Sequence, residues 1–445
     1  MRNGLLGSIA ALVAAGLAWG QPSAGPTGPA SPAASALTPN SPEPVPMGPS
    51  TMGTTLVTPE PIGFMAGPNG YGAEPSEPQL SGERASAQVD YLLWWLKPWG
   101  PVYPLVSVGT TGPKGAISGP GTSTIVGPGN FELNPFSGGR FTLDYWCHSD
   151  RRVGVEFSGF VLEQRSQHII FGFGDQIVAR PVIDANTGLP ESELVAAPGL
   201  ATGGLQVIAK SQLWGYEANL KLKLWCDECR DLILLTGFRY MDLAERLDIQ
   251  QRTTLLPGNT VSFYGMVFGA PAEIDIADTF QTRNQYYFSQ IGLQGDWRFH
   301  RWVASWSWKF AYGIDHQTEV VNGNSTLILN PNTPNAVAST VPGGLLALTS
   351  NIGRRHHNEF TVMPEGAFQL GYRLLPSTDL VIGYQFAYLS RSIRPGNQFS
   401  PAISPTLLPT SAFFSSPGGV FAPAPIFRQS DMWVQGVNFG VHVHF

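Results

Sequence analysis

Charged side chains are scarce in this chain. Asp, Glu, Lys and Arg make up 13% of its 445 residues, about half of the ~25% usual in soluble domains. No lysine- or arginine-rich run occurs, and the formal net charge is −6. A phosphate backbone needs a basic surface to hold it, so nucleic acid is excluded as a partner. Cysteine is rarer still, with three residues, Cys147, Cys226 and Cys229. Beyond the N-terminus there is no apolar run of the roughly 20 residues that a transmembrane helix requires. If the chain spans a membrane, it does so with strands.

Glycine (51), proline (38) and aromatics (11%) are plentiful instead. Low charge with many aromatics suits a surface whose outer belt meets lipid. The first 20 residues fit a secretory leader: Arg2 supplies the charge, Leu5 to Leu17 the apolar core, and Ala18-Trp19-Gly20 a small-residue site with a cut after Gly20. A membrane anchor is the alternative, but the apolar core is short for a span and no stop-transfer flank follows. No cysteine lies near the cut to mark a lipoprotein. Residues 21–84 are rich in Pro, Ala, Gly, Ser and Thr and show no periodicity. Such a segment cannot bury enough apolar surface to offset its ordering entropy, and reads as a disordered periplasmic linker. A plain spacer is expected, with contact to cell-wall material as the alternative.

From Ala85 to Phe445 the texture is that of strands. Val89 to Leu96 is apolar on both faces, which leaves its orientation open. After a Gly/Pro/Thr-rich loop to about Gly138, alternating residues through Cys147 meet the turn His148–Arg151 and return through Val153, Val155 and Phe157. The same grammar repeats with Trp214–Leu224 against Asp231–Leu247, joined at Cys226–Cys229. It continues with Phe280–Phe299 against Trp302–Tyr312, joined at His300, and Phe360–Arg373 against Leu380–Tyr388. Long loops fall at about 171–205, 248–278, 316–354 and 395–428. The last stretch, Asp431 to Phe445, alternates strictly, with Phe445, Val443, Val441, Phe439, Val437, Gln435 and Trp433 on one face.

Two properties of this series decide the fold class. The strands reach about 12 to 20 residues, against a mode of roughly five or six in soluble proteins. Four short turns also alternate with five long loops, which a soluble all-β protein has no reason to maintain. The expectation is an all-β, antiparallel up-and-down transmembrane β-barrel of about 10 strands (8 to 12), with short periplasmic turns and long extracellular loops. Aromatics at the ends of the apolar faces, such as Trp214 and Trp225, Trp302 and Tyr312, Phe360 and Tyr372, fit interfacial girdles. The spacing Asn438-x-Gly440-x-x-Val443-x-Phe445 resembles the C-terminal signal by which bacterial outer-membrane barrels are inserted. Outer-membrane lipid and the barrel-assembly machinery are therefore the expected partners.

Several stretches in order carry a wider resemblance. They are Tyr91–Trp95, Gly237–Leu243, Phe280–Asn284 with Gln290–Leu293, Pro364-Glu365 with Gly371-Tyr372, Gly383-Tyr384 through Tyr388–Ser390 to Arg394–Gly396, and Gln435–Gly440. The set resembles the planctomycete-type family of outer-membrane β-barrel proteins and covers most of residues 85–445. The resemblance implies an outer-membrane barrel preceded by a leader and a Pro-rich linker. It implies no activity, substrate or catalytic residue.

The faces opposite the apolar belt carry Asp144, Glu156, Glu217, Lys221, Lys223, Arg239, Asp296, Arg298, Lys309, Glu365, Arg373 and Arg391, five acidic and seven basic. Of these, Glu217, Lys221, Lys223, Arg239, Lys309, Glu365 and Arg373 are the candidate lumen lining. Nearly balanced signs favour a lumen filled by cross-strand ion pairs over an ion-selective pore, and the loop 98–138 is long enough to fold into a wider barrel. The function expected is structural or surface-exposed; a diffusion porin is the alternative, and an outer-membrane hydrolase the third.

Cys226-x-x-Cys229 lies in a β-turn, without the helix of a redox motif or the further ligands of a zinc site. One structural disulfide is expected among Cys147, Cys226 and Cys229, with Cys226 and Cys229 as one possible pair and the pairing left open by the sequence. His356-His357 with Glu359, and His442 with His444, lack a recognisable further ligand, so no metal is expected. Ser305, Ser307 and His316 lie on or near one strand but form no catalytic motif. No cofactor and no enzyme activity are expected.

Overall fold

The computed structural model describes residues 84–109, 121–147, 151–173 and 176–445. The leader, the linker before residue 84, and the turn residues His148 to Asp150 lie outside the described residues.

Ten antiparallel strands form the wall: β1 (Ala85–Leu96), β2 (Phe136–Trp146), β3 (Val153–Leu162), β4 (Ala201–Cys226), β5 (Arg230–Leu255), β6 (Ala272–Phe299), β7 (Trp302–Leu329), β8 (Gly353–Leu375), β9 (Thr378–Ile393) and β10 (Gln429–His444). Each pairs with the next in sequence. β10 then pairs with β1 from Ser86 against His444 to Leu96 against Val434, and closes the ring. Closure leaves the lower part of the ring without a sheet edge, the condition a spanning sheet must meet where no water can satisfy backbone groups; edges remain above it, as at Arg165–Phe173, which pairs with β4 alone.

All short connections fall at one end of the ring, the turn end, and all long ones at the other, the loop end. The lower wall shows the alternation expected of a lipid-facing sheet. Ile291, Leu293 and Trp297 on β6, Trp306, Trp308 and Phe310 on β7, and Ile382, Tyr384 and Phe386 on β9 are exposed on the outside. Aromatics bound this belt: Trp302 packs edge-on against Tyr372 at the turn end, and Tyr240 lies 5.1 Å from Tyr287 at the other rim.

Four strands run much further than their apolar alternation shows. β4 and β5 each have 26 residues, and β6 and β7 have 28. The loops read at 171–205, 248–278 and 316–354 are therefore partly wall, and the lengths of 12 to 20 residues are too short for these strands. The physical reason is a change of phase. On β5, Phe238 and Tyr240 face outward below; above them the same outward positions hold Asp242, Arg246, Gln250 and Arg252, while Leu243, Leu247 and Ile249 point inward and are buried. The wall thus turns from apolar outside to polar outside where it leaves the belt, and a period-two search is interrupted at the reversal.

The upper interior is filled. A five-stranded sheet built from the long loops (Val106–Gly109, Thr122–Val126, Ile177–Asp184, Pro190–Ala196 and Ala402–Ile403) joins the first, second and last of them. Its Val106, Val126, Val178 and Ile403 share one apolar core with Leu205, Leu247, Ile276 and Phe280 of the wall. Asp278 on β6 fixes two loops at once. One of its carboxylate oxygens accepts Arg180 at 2.6 Å, and the other accepts the amides of Leu345, Leu346 and Ala347 at 2.8–2.9 Å.

Candidate functional site

Below the apolar plug the lumen is polar. Inward positions of all ten strands in the lower wall converge on a cavity of about 310 Å³ that reaches the turn end. The seven lining candidates Glu217, Lys221, Lys223, Arg239, Lys309, Glu365 and Arg373 all border this one cavity. Period-two geometry puts them there, because each sits opposite the apolar belt on its own strand.

The charges do not form a ring of one sign. Arg239 on β5 donates through Nε to Glu217 of β4 at 2.8 Å and reaches across the lumen to Glu365 of β8, with Nη2 3.3 Å from Oε1. Lys309 on β7 crosses in the other direction to Glu217, and its ammonium is 3.7 Å from Glu156 of β3. Gln290 and Asn219 close the remaining gaps: Gln290 Nε2 donates to Asn219 at 2.6 Å, and Asn219 Nδ2 to Glu156 at 2.9 Å. Beside this lattice Lys221 pairs with Asp144, and Lys223 lies 3.3 Å from Asp231. A second strut joins β2 to β9, where Arg140 donates to Asp90 at 2.9 Å and to Gln385 at 2.8 Å. Directly above, Trp94 and Phe160 stand 5.2 Å apart, and Met241, Met363 and Val434 complete an apolar lid. The orientation of β1, open from its two apolar faces, follows: Leu92, Trp94 and Leu96 point inward to this lid, and Val89 and Tyr91 outward.

Arg391 is not in the lumen. A bulge between Leu389 and Ser392 shifts the register of β9, and Arg391 turns outward to pair with Glu359, which also takes His357 at 2.9 Å. All three cysteines are free and exposed, so the disulfide expected among them is not formed, the possible Cys226–Cys229 pair included. Their turn is held instead by Asp227, whose side chain accepts the amides of Cys229 at 2.9 Å and Arg230 at 2.7 Å.

Asn438 and Gly440 of the terminal strand face inward at the seam. Asn438 donates to Asp90 at 3.2 Å, and a Cβ on Gly440 would stand 2.1 Å from the same carboxylate. Val443 pairs with Ala87 and Thr378. The carbonyl of Phe445 accepts from Arg84 and Ala85, and its side chain is exposed.

Ser305 and Ser307 border the cavity, whereas His316 is on the outward face of the same strand, where Nδ1 shares a hydrogen bond with Asn358 at 2.7 Å. Opposite faces of one strand cannot supply a nucleophile and its base. His442 and His444 stand inside the turn end and are joined there by Asp379 of β9, a neighbour that sequence spacing could not indicate across 65 residues.

A family model described as "Putative beta barrel porin-7 (BBP7)" matches residues 87–445. No curated protein sequence matches the chain. Among solved structures it is similar to the outer membrane protease OmpT of Escherichia coli, with 8% identity and a TM-score of 0.36 over 81% of this chain and 97% of that one. It is also similar to the toluene transporter TodX of P. putida (10% identity, TM-score 0.21, 82% and 92% covered). A FadL homologue of Pseudomonas aeruginosa is comparable (10%, 0.22, 82% and 90%). At such low scores nothing about activity follows from these likenesses.

Proposed function

The chain belongs through residues 87–445 to the family described as "Putative beta barrel porin-7 (BBP7)", and from that premise we propose that it is an outer-membrane barrel whose lumen is closed. The observation that carries this reading is the lattice of Arg239, Lys309, Glu217 and Glu365, which ties β4 and β5 to β7 and β8 across the lumen. A conducting path would have to break charge pairs that are almost wholly buried, and then pass the apolar lid and the loop-built core above it. Breaking a buried pair costs about 3–5 kcal/mol, because it leaves an uncompensated charge.

The turn end then faces the periplasm and the loop end the exterior, so the work of the molecule is done by its loop-built outer surface. We propose no catalytic activity. Outer-membrane lipid surrounds the aromatic belt, and the barrel-assembly machinery engages β10 with the signal Asn438, Gly440, Val443 and Phe445. The leader at 1–20 and the periplasmic linker at 21–84 complete this reading. The planctomycete-type branch is proposed on the ordered stretches from Tyr91–Trp95 to Gln435–Gly440.

The second reading, a diffusion porin, draws on the family description and on the cavity of about 310 Å³ at the turn end. Solute flux separates the two. Vesicles holding the folded protein should swell in isotonic arabinose no faster than protein-free vesicles. Swelling that scales with protein content would establish the porin and remove the closed-lumen reading.

A further inference from the structure

Inside the turn end, three side chains that can ligate a metal come together from two neighbouring strands. His442 and His444 lie two residues apart on the inward face of β10, and Asp379 on β9 is in direct register with His442. One ligand atom from each lies within 4.8 Å of the others, and these three form the one such group among the described residues. His444 Nε2 is 2.9 Å from Asp379 Oδ2, and the two imidazoles are 4.2 Å apart between centroids. That spacing suits two ligands sharing an ion with bonds of about 2.0–2.1 Å; a rotation of the His442 ring brings in the third.

The surroundings support ligation. Arg373 donates to both carboxylate oxygens of Asp379, through Nε to Oδ1 at 2.9 Å and through Nη2 to Oδ2 at 3.3 Å, which fixes the carboxylate with Oδ2 turned toward His444. Ligating carboxylates are commonly held by such a partner. Both histidines border the cavity where it reaches the turn end, so a fourth position is open to solvent. Two imidazoles and one carboxylate select a borderline transition ion over Mg²⁺ or Ca²⁺, which take oxygen ligands.

We infer that Asp379, His442 and His444 form a binding site for a divalent transition ion, Zn²⁺ in class, that clips β9 to β10 beside the barrel's closing seam. The site is independent of whether the lumen conducts, since its ligands lie at the turn end below the charge lattice.

The test is Zn²⁺ binding by full-length, tag-free, folded protein, measured by competition with a chromogenic chelator at neutral pH. Cys147, Cys226 and Cys229 are exposed thiols, so all three are first replaced by serine. One equivalent of Zn²⁺ is expected to bind and to raise the temperature at which the folded form is lost on a gel. His442→Ala and His444→Ala, checked as folded by the same heat-modifiable mobility, should each weaken binding more than about 100-fold, beyond the 10–100-fold that disturbing a supporting group costs. Ca²⁺ should give no stabilisation. Absence of binding in the cysteine-free protein would overturn the proposal. So would binding that either histidine variant, once folded, leaves unchanged.

Discussion

Single side chains carry most of what distinguishes this barrel from an empty cylinder. Arg239 is buried and neutralises Glu217 and Glu365 together. Arg239→Met should therefore lower stability by about 3–5 kcal/mol, read as a lower urea midpoint of the folded form in detergent; an unchanged midpoint would mean the lattice is dispensable. Outside the belt, burial pushes the carboxyls of Glu319 and Glu193 up to about 7 from 4.5, against the pull of Arg355 on the first and of Thr410 and Arg180 on the second. Both groups hold their protons to higher pH in the folded chain than in the unfolded one. The stability they contribute is complete below about 4.5 and is lost as pH rises toward about 7. The thermal midpoint should fall across that window, and Glu319→Gln should flatten part of the slope; an identical slope would exclude Glu319 as a source. The inward placing of Glu217, Lys221, Lys223, Arg239, Lys309, Glu365 and Arg373 was legible in sequence because alternation alone decides it. Arg391 was not, since a bulge reverses parity without leaving a mark in composition. The meeting of Asp379 with His442 and His444 depends on register between two strands, which no pattern along one strand contains.

Strands are the scale at which the sequence speaks most clearly, and also where it stops early. The ten wall strands, the short turns and the strict alternation of Asp431–Phe445 follow from periodicity and from turn residues. The upper halves of β4 to β7 were hidden because their apolar and polar faces exchange above Tyr240 and Tyr287. The local alternation persists there, but it points at a different solvent. The loop-built sheet was hidden for another reason: its strands are short and pair across segments far apart in sequence, from Val106–Gly109 to Ala402–Ile403. At the seam the demand is steric. A side chain at Gly440 meets the Asp90 carboxylate and the carbonyl of Val89 at 2.8 Å, so Gly440→Val should prevent β10 from closing on β1. The heat-modifiable band should then be reduced or absent after refolding, whereas Val443→Ile on the outward face should refold as the parent does. Equal refolding of both variants would contradict this account of the seam.

Taken as a whole, the molecule has two interiors stacked along one wall. The lower is polar inside an apolar belt, as a membrane-spanning sheet requires. The upper is apolar inside a polar wall, as in a soluble protein, and the loops supply its core. This division explains why overall charge is low although the lumen is rich in ion pairs: the lipid belt needs no charge, the upper core is mainly apolar with a few buried pairs such as Arg180 with Asp278, and most charged groups concentrate in the lattice and on the upper outer face. It also gives the outer surface a rigid base, because Asp278 and the shared apolar core hold the loops to the wall. The claim on which the account rests is closure of the lumen, and single-channel recording across a planar bilayer tests it most directly. The folded protein should give a silent bilayer at neutral pH in concentrated KCl, while stable, protein-dependent conductance steps from the unmodified chain would contradict it.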